Sequence, residues 1–457
     1  MYKLSDKEIT YIRIKCSLPL SWLALRNASH NEITGSLVKR AYAAVSCRNP
    51  LLRAVYKPEI DKSSLIIRDV RDVIRDEAAG TLPAHLTTKY HTRAEAWADY
   101  KRMVEDEMWT TDAMWEVTVC PLGSEPPSGE NVVVFAHFNH GVADGAAVME
   151  ALGEFVRVLN AGLLANSAAV LPPHDFLGES RPVPKPFLER FPHFRFDDPT
   201  SEPEKEELFE EVIATMSDQA TRLHAAIVDR PFTEEATRNF IAKCKAHGVS
   251  VTAGLYAAVA MAAAAPKTFK SSMPISYRTK GHFGDLAVSF TSSFFDLDLS
   301  GIWKEAAAAA GNGGDKDALW ETLAKVFHKT IHTKLDSEDE KYRGTAFGFI
   351  RAALEKHEAG EAPLCPGQRG DVFSICLSNV GILDKYFAGE EEDGGLPLSV
   401  VDVTGYCSNH VSPTLVLWCF TLHGKFHMAI LDSTYAHKRE LLEKFTSKVF
   451  RFVEGKN

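Results

Sequence analysis

The sequence predicts an α/β protein of two lobes, and three observations lead to this fold class. The chain has 457 residues, whereas a single hydrophobic core usually stops growing at roughly 250 to 300 residues. Strand-like and helix-like patterns alternate in both halves. A proline-rich segment at 171–208 separates the halves, because prolines at that density cannot continue a helix or an inner strand. We therefore expect an N-terminal lobe at 1–170, a linker at 171–208 and a C-terminal lobe at 209–457.

In the first half, apolar residues spaced by three and four predict helices, and runs of β-forming residues predict strands. The helices are Ile33–Val45 and Gly145–Leu159, and the strands are Trp115–Cys120 and Val132–Phe138. Asn49-Pro50 predicts a turn, and Leu51–Tyr56 is expected to be extended.

The second half shows the same mixture of patterns. Helices are predicted at Thr233–His247, Val251–Ala265 and Arg439–Phe452, and strands at Pro274–Arg278 and Phe426–Leu431. The glycine-rich stretch Gly311–Asp315 does not lie between a strand and a helix, so we interpret it as a loop and not as a nucleotide cradle.

Composition excludes several classes of function. The net charge is −10 and no basic cluster interrupts it, so we expect no nucleic-acid partner. The eight cysteines form no Cys-x-x-Cys pair, which is typical of free thiols in a reducing compartment. The first residues lack the apolar stretch of a secretory signal, and the uncharged run Ala253–Pro266 is too short to span a membrane. We therefore expect a cytoplasmic protein without a membrane span.

One segment carries the residues best suited to acid–base chemistry. The apolar strand Val132–Phe138 ends before Gly141, and an amphipathic helix begins near Gly145. His140 therefore stands at the end of a rigid strand, where an imidazole that titrates near neutral pH suits a general base. Asp144 stands at the mouth of the helix. The two residues together are more specific to a function than either one alone.

Each of these residues also has a plainer interpretation. A histidine that ends a strand is often only packed or solvated, and an aspartate before a helix is a common N-cap. A metal site would need His137, His140 and Asp144 together. Alternation along the strand places His137 and His140 on opposite faces, so we expect no metal there.

The segment His140-Gly141-Val142-Ala143-Asp144-Gly145 resembles the His-x-x-x-Asp-Gly motif of the coenzyme A-dependent acyltransferase superfamily. That superfamily includes chloramphenicol acetyltransferase, plant BAHD acyltransferases, fungal alcohol and trichothecene acetyltransferases, mycobacterial polyketide-associated acyltransferases and peptide-synthetase condensation domains. The length and two-lobe layout are similar over nearly the whole chain. Four further stretches resemble superfamily motifs: Arg48–Arg53, Gly248–Ala253, Pro274–Arg278 and Ser378–Gly381.

The sequence departs from the superfamily pattern at two points. Many members carry two consecutive histidines, and here the first is Asn139. By strand alternation Asn139 faces away from His140, so we expect this difference to affect packing more than chemistry. The Asp-Phe-Gly-Trp-Gly signature of the plant enzymes is absent, which argues against the plant branch.

The resemblance implies two chloramphenicol acetyltransferase-like lobes, each a mixed sheet flanked by helices, with an active-site tunnel between them. It implies that His140 takes the proton of an acceptor hydroxyl or amine as the acceptor attacks an acyl-CoA thioester. No covalent acyl-enzyme is needed, and the chain has no Gly-x-Ser-x-Gly elbow. Asp144 and Gly145 would support the catalytic loop.

Three further residues are assigned with plainer alternatives still open. Arg278 would pair with Asp144, although an arginine in an apolar strand can also be an edge residue whose charge reaches solvent. Ser378 and Asn379 would stabilise the tetrahedral oxyanion, although Ser-Asn-Val-Gly would also make a turn at the end of a strand.

The expected partners follow from this reaction. Acyl-CoA is the co-substrate, no cofactor is bound permanently, and the acceptor is a small-molecule alcohol or amine. The net charge of −10 opposes an anionic ligand such as coenzyme A unless a local basic patch overcomes it. An acyl carrier protein could supply the thioester instead, and a non-catalytic binding protein on the same fold is a further alternative. We expect a monomer.

Overall fold

Two compact units make up the protein. The computed structural model describes residues 2–3, 17–28, 32–57, 59–61, 64–105, 113–123, 130–165, 180–185, 187–190, 226–263, 270–276, 292–310, 315–337, 375–387, 396–405, 415–432 and 439–456. Unit 1 comprises Met1–Pro192, Tyr277–Thr291 and Leu383–Ser408, and unit 2 comprises His193–Ser276, Ser292–Ile382 and Asn409–Asn457. The predicted bounds at 1–170, 171–208 and 209–457 stay a prediction, while residues 383–408 make their contacts within unit 1.

Helices and strands alternate along the described residues. In chain order they are β1 (Tyr2–Lys3), β2 (Ser17–Asn27), α1 (Gly35–Arg48), β3 (Ala54–Tyr56), β4 (Ser64–Ile67), α2 (Val70–Ala79), β5 (Ala84–Leu86), α3 (Arg93–Glu105), β6 (Trp115–Pro121), β7 (Val132–Asn139), α4 (Gly145–Leu164), α5 (Phe187–Arg190), β8 (Ala226–Pro231), α6 (Glu234–Ala246), α7 (Val251–Ala262), β9 (Lys270–Ser276), β10 (Ser292–Asp298), α8 (Leu299–Ala310), α9 (Lys316–Asp336), β11 (Ile375–Ile382), α10 (Asp384–Phe387), β12 (Leu398–Thr404), β13 (Leu415–Leu422), β14 (Lys425–Asp432) and α11 (Arg439–Val453).

Unit 1 contains a mixed five-stranded sheet in the order β12-β2-β7-β6-β5, and its described part also holds a small sheet in the order β1-β4-β3. Only β5 and β6 are parallel neighbours among the described strands of the larger sheet. Its central strand β7 is buried along its whole length, because it pairs with β2 and β6 on its two sides and helix α3 lies against it. The predicted strands at 115–120 and 132–138 are confirmed.

The core of unit 1 is built around Trp115. Its ring is fully buried and stacks on Tyr42 of α1 and on Phe138 of β7, with ring centroids 4.3 and 5.3 Å apart. Its indole N–H donates to the Ser46 hydroxyl at 3.0 Å, so the polar atom of this large side chain is satisfied. The stacking fixes β7, and therefore the end of β7, against α1.

Strand β12 comes from a distant part of the chain and joins the edge of the unit 1 sheet beside β2. Asn160 of α4 holds it by two hydrogen bonds to the backbone of Leu398, at 3.0 and 2.6 Å. Helix α10 lies so close to α4 that a Cβ added at Gly153 would stand 2.1 Å from the Tyr386 carbonyl oxygen. Glycine is therefore required at position 153, because any larger residue would push α10 away.

Unit 2 contains a mixed six-stranded sheet in the order β10-β9-β11-β13-β14-β8. Strand β11 is parallel to both β9 and β13. The small-residue helix α7 is buried from Ala253 to Ala260 and packs against α9, where the Trp320 N–H donates to the Gly254 carbonyl at 3.2 Å. The predicted buried helix is confirmed, and the predicted α/β class with two sheet-and-helix lobes is confirmed with it.

One predicted segment differs from the structure, and another is described only in part. Leu51–Tyr56 is not extended throughout, because Pro50–Arg53 forms a 3-10 turn and only Ala54–Tyr56 is a strand. Proline at the first helical position favours this turn, and the Arg53 guanidinium stabilises it by donating to the carbonyls of Cys47 at 2.7 Å and Arg68 at 2.9 Å. The predicted strand Pro274–Arg278 is confirmed over Pro274–Ser276, within a strand that begins at Lys270, and Arg278 lies outside the described residues.

Part of the predicted linker packs on unit 1. The backbone N–H of Arg181 donates to the Arg48 carbonyl at 3.1 Å, and its guanidinium donates to the Asn49 side chain. Asn49 in turn donates to Glu154 at 3.1 Å, a carboxylate that is nearly fully buried and also pairs with Arg48 at 2.8 Å.

None of the described helices is long and apolar enough to cross a membrane.

Candidate active site

His140 is the first residue after β7. The strand ends at Asn139, and the Val142 N–H donates to the Asn139 carbonyl at 3.1 Å. Residues 139–142 therefore form a tight turn with His140 in its second position. The orientation of His140 is set by this turn and not by the alternation of the strand. The side chain is buried, with 7% of its surface exposed.

The local hydrogen bond of His140 fixes its tautomer. Its Nδ1 atom lies 3.0 Å from the carbonyl oxygen of Ala143. A carbonyl oxygen only accepts hydrogen bonds, so Nδ1 carries the hydrogen and Nε2 of the neutral ring keeps its lone pair. A general base in this position would therefore act through Nε2.

Asp144 is the N-cap of α4, as its plainer interpretation predicts. Its side chain accepts the Ala147 N–H at 3.0 Å, and its carbonyl accepts the Val148 N–H at 2.9 Å. Only 3% of Asp144 is exposed, and the positive end of the α4 dipole stabilises its negative charge. Gly145 is the first residue of α4. The predicted ion pair of Asp144 stays a prediction, because Arg278 lies outside the described residues.

His137 lies opposite Glu116 on the neighbouring strand. Its Nδ1 atom is 3.6 Å from Oε1 of Glu116. Burial lowers the pKa of His137 well below its ordinary value and raises the pKa of Glu116, so the contact joins a neutral imidazole to a carboxyl group. Among the described residues no group of three or more histidine, cysteine or acidic side chains could hold a metal ion.

Ser378 and Asn379 lie on β11 and not in a turn after it, since the strand runs to Ile382. Ser378 pairs with Trp418 of β13, and Asn379 stands at the start of a β-bulge. The register with β13 shifts between Asn379 and Gly381, and Gly381 has φ of 84°, a conformation that favours glycine. The Asn379 side chain accepts the Gly381 N–H at 3.0 Å and donates to the Thr252 hydroxyl at 3.1 Å. These two bonds fix the plane of the amide and leave its second N–H in a fixed direction.

Similar solved structures identify the fold. The trichothecene 15-O-acetyltransferase TRI3 from Fusarium sporotrichioides matches with a TM-score of 0.68 and 12% identity, over 99% of this chain and 94% of that one. Polyketide synthase associated protein 5 from Mycobacterium tuberculosis matches with a TM-score of 0.59 and 13% identity, over 100% and 99%. The condensation domain of the monacolin K polyketide synthase MokA gives 0.56 and 13%, over 99% and 96%.

This chain has the acyltransferase and condensation-domain fold. The shared fold is not accompanied by close sequence similarity, since no family model matches the chain and no curated protein matches its sequence. The predicted resemblance to this group is confirmed at the level of the fold.

Two residues that contact side chains considered above, Thr252 at Asn379 and Glu116 at His137, were not singled out from the sequence. Thr252, in the first turn of α7, accepts a hydrogen bond from Asn379, far away in sequence. It lies in the Gly248–Ala253 stretch that resembles a superfamily motif, but nothing in that stretch indicates the contact with Asn379. Glu116 could have been noticed, because a carboxylate between Trp115 and Val117 is unusual in an apolar strand.

Proposed function

We propose that this protein transfers an acyl group from an acyl-CoA thioester to the hydroxyl or amine of a small acceptor, with His140 as the general base. The observation that carries the proposal is the placement of His140: it follows a rigid central strand, and its Nδ1 hydrogen is engaged by the Ala143 carbonyl. The ring thereby offers Nε2 as the basic atom.

The proposed reaction proceeds without a covalent acyl-enzyme. Nε2 of His140 takes the acceptor proton as the acceptor oxygen or nitrogen attacks the thioester carbonyl carbon, and the carbonyl electrons move to its oxygen. When the tetrahedral intermediate collapses, the C–S bond breaks and the departing thiolate takes the proton from Nε2. The base returns to its starting state, so one histidine serves both proton transfers.

The oxyanion of that intermediate needs hydrogen-bond donors, and we keep Ser378 and Asn379 as the candidates. The fixed amide plane of Asn379 supports this role, since a donor that is already oriented needs no reorganisation during the reaction. Asp144 with Gly145 would hold the loop that carries His140, and Arg278 is the proposed ion-pair partner of Asp144.

The test is release of free thiol from acetyl-CoA and longer acyl-CoAs in the presence of a panel of alcohols and amines. We expect turnover in the wild type, and a rate about 100- to 10,000-fold lower in His140→Ala, the range that general-base catalysis contributes. The exposed His85 of β5 gives the matched control His85→Ala, which should keep full activity. An active His140→Ala enzyme would remove the catalytic proposal and favour a binding role.

A carrier protein is the second candidate thioester donor, because the MokA condensation domain has the same fold over 99% of this chain. In that case the acyl group would arrive on the phosphopantetheine arm of a carrier protein. The same assay with acyl-carrier protein in place of acyl-CoA separates the two donors. If thiol is released from the acyl-carrier protein and not from acyl-CoA, the carrier protein takes the place of coenzyme A as the proposed donor, and His140 keeps its role.

A further inference from the structure

We propose that Asn139 is a positioning residue that holds the His140 ring in the orientation and tautomer required of the base. This inference rests on the proposed role of His140. Asn139 occupies the position where many proteins with the His-x-x-x-Asp-Gly motif carry a first histidine, and strand alternation predicts only a packing role for it.

Asn139 accepts two hydrogen bonds that close the turn carrying His140. Its carbonyl accepts the Val142 N–H at 3.1 Å, and its side-chain Oδ1 accepts the Gly141 N–H at 2.8 Å. Its own N–H donates to the Met114 carbonyl at 2.9 Å. The residue is therefore anchored beside β6 while it binds the two peptide groups that follow His140.

The side-chain bond matters because the turn is buried. Asn139 is only 7% exposed, and Gly141 and Val142 are buried as well. A buried N–H without an acceptor is costly, so the turn would change its shape if Oδ1 were lost. Asparagine is suited to this task, since its short amide reaches the N–H two residues ahead without disturbing the chain.

The shape of the turn determines the position of the Ala143 carbonyl. That carbonyl engages Nδ1 of His140 at 3.0 Å, and the next residue, Asp144, is fixed as the N-cap of α4. The segment between Asn139 and Asp144 is thus held at both ends, at one end by the Asn139 side chain. Loss of the side-chain bond would leave only the Asn139 carbonyl at that end, and the turn would shift to find another acceptor for the buried Gly141 N–H. The Ala143 carbonyl would then move away from Nδ1, the proton would be free to move to Nε2, and Nε2 would no longer act as the base.

The experiment compares three variants of the full chain. Asn139→Leu keeps the approximate shape and removes the acceptor, and Asn139→Asp restores an acceptor. The matched control is Asn131→Leu, because Asn131 makes the same type of bond at the opposite end of β7, accepting the Asn27 N–H at 2.7 Å. Each variant is compared at its own pH optimum, since aspartate adds a charge beside His140.

Two readouts are taken from each variant. The first is kcat and KM for the acyl donor: Asn139→Leu should lower kcat about 100-fold, the scale expected for a misplaced catalytic group, with KM unchanged. Asn139→Asp should recover most of kcat, and Asn131→Leu should leave kcat unchanged. The second is ¹⁵N NMR of the histidine rings, with the His140 signal assigned by its absence in His140→Gln. The Nδ1–H tautomer should be present in the wild type and Asn139→Asp, and be lost in Asn139→Leu.

The proposal is overturned if Asn139→Leu keeps its kcat, if its His140 ring keeps the Nδ1–H tautomer, or if Asn131→Leu loses as much kcat. Asn139→Ala removes the same acceptor with less bulk and takes the place of the leucine variant if that variant does not fold. Should the wild type turn over no thioester, the proposed function fails. The NMR readout still decides the role of Asn139.

Discussion

Replacing Asp144 with asparagine distinguishes the two roles considered for this residue. Asparagine caps a helix about as well as aspartate, so the Ala147 N–H keeps its acceptor and the cap survives. The substitution removes only the negative charge. Its effect on stability therefore measures what the charge does.

The expected magnitude follows from burial. Asp144 is 3% exposed, and a carboxylate so deeply buried requires a cation nearby. Breaking a buried ion pair from one side typically costs about 3–5 kcal/mol, whereas loss of a charge at a partly buried helix N-terminus costs at most about 2 kcal/mol. We expect the larger value, together with loss of activity, because the charge is proposed to pair with Arg278.

The assay is native-state hydrogen exchange of the α4 amides, followed by mass spectrometry of peptides within 145–164. Local measurement is preferred because a chain of two units need not unfold in a single step. A loss of 3–5 kcal/mol would accelerate exchange by about two to three and a half orders of magnitude. The matched control is Asp69→Asn, an exposed aspartate that caps α2 by accepting the Arg71 N–H at 2.8 Å.

A buried ion pair at Asp144 is excluded if Asp144→Asn accelerates exchange in α4 no more than Asp69→Asn does in α2. Asp144 would then be an N-cap alone, and the ion pair with Arg278 would have no energetic support.

Two further predictions concern stability in unit 1. Because burial lowers the pKa of His137, the unfolded chain binds a proton that the folded chain does not. Stability should therefore fall as the pH drops below about 6.5, by up to about 1.4 kcal/mol per pH unit; Glu116, whose pKa is raised, acts in the opposite sense. The midpoint of urea unfolding should shift between pH 7 and pH 5.5 in the wild type and in the exposed-site control His85→Gln, and it should shift less in His137→Gln. A shift of unchanged size in His137→Gln would contradict the role of His137. Arg53→Met should destabilise the end of α1 by about 1.5–3 kcal/mol, because the half-buried guanidinium donates a charged hydrogen bond to the Cys47 carbonyl. Hydrogen exchange of the α1 amides measures this loss of stability. A loss below about 1 kcal/mol would mean that the Arg53 bonds contribute no more than a solvent-exposed charge does.

The segment from β7 to α4 could be predicted from the sequence because its signals are local. An apolar run predicts the strand, and apolar spacing together with Asp144 predicts the start of the helix. Each signal depends on residues within one or two turns of chain, and the structure has both elements in place. The 3-10 turn at Pro50–Arg53 was missed, because Arg53 stabilises it partly through Arg68, which lies on the far side of a hairpin.

Contacts between distant residues could not be predicted in this way. The pairing of β12 with β2 joins positions about 370 residues apart in sequence, and no periodicity indicates which edge a strand will join. The bond between Thr252 and Asn379 is of the same kind. Both depend on where whole elements pack, which is settled by the burial of many side chains together.

The α/β class and the strand and helix on either side of His140 could be read from the sequence, as could the segment His140–Gly145 on which the proposal of acyl transfer rests. Those features depend on local hydrophobic spacing, on capping and on residue chemistry. Only the tertiary structure decided that Nδ1 of His140 faces the Ala143 carbonyl, that Asn139 holds the turn, and that Glu116 lies beside His137. Hydrogen bonds within a buried turn and across neighbouring strands depend on exact distances and directions, and these are fixed only when the unit is packed.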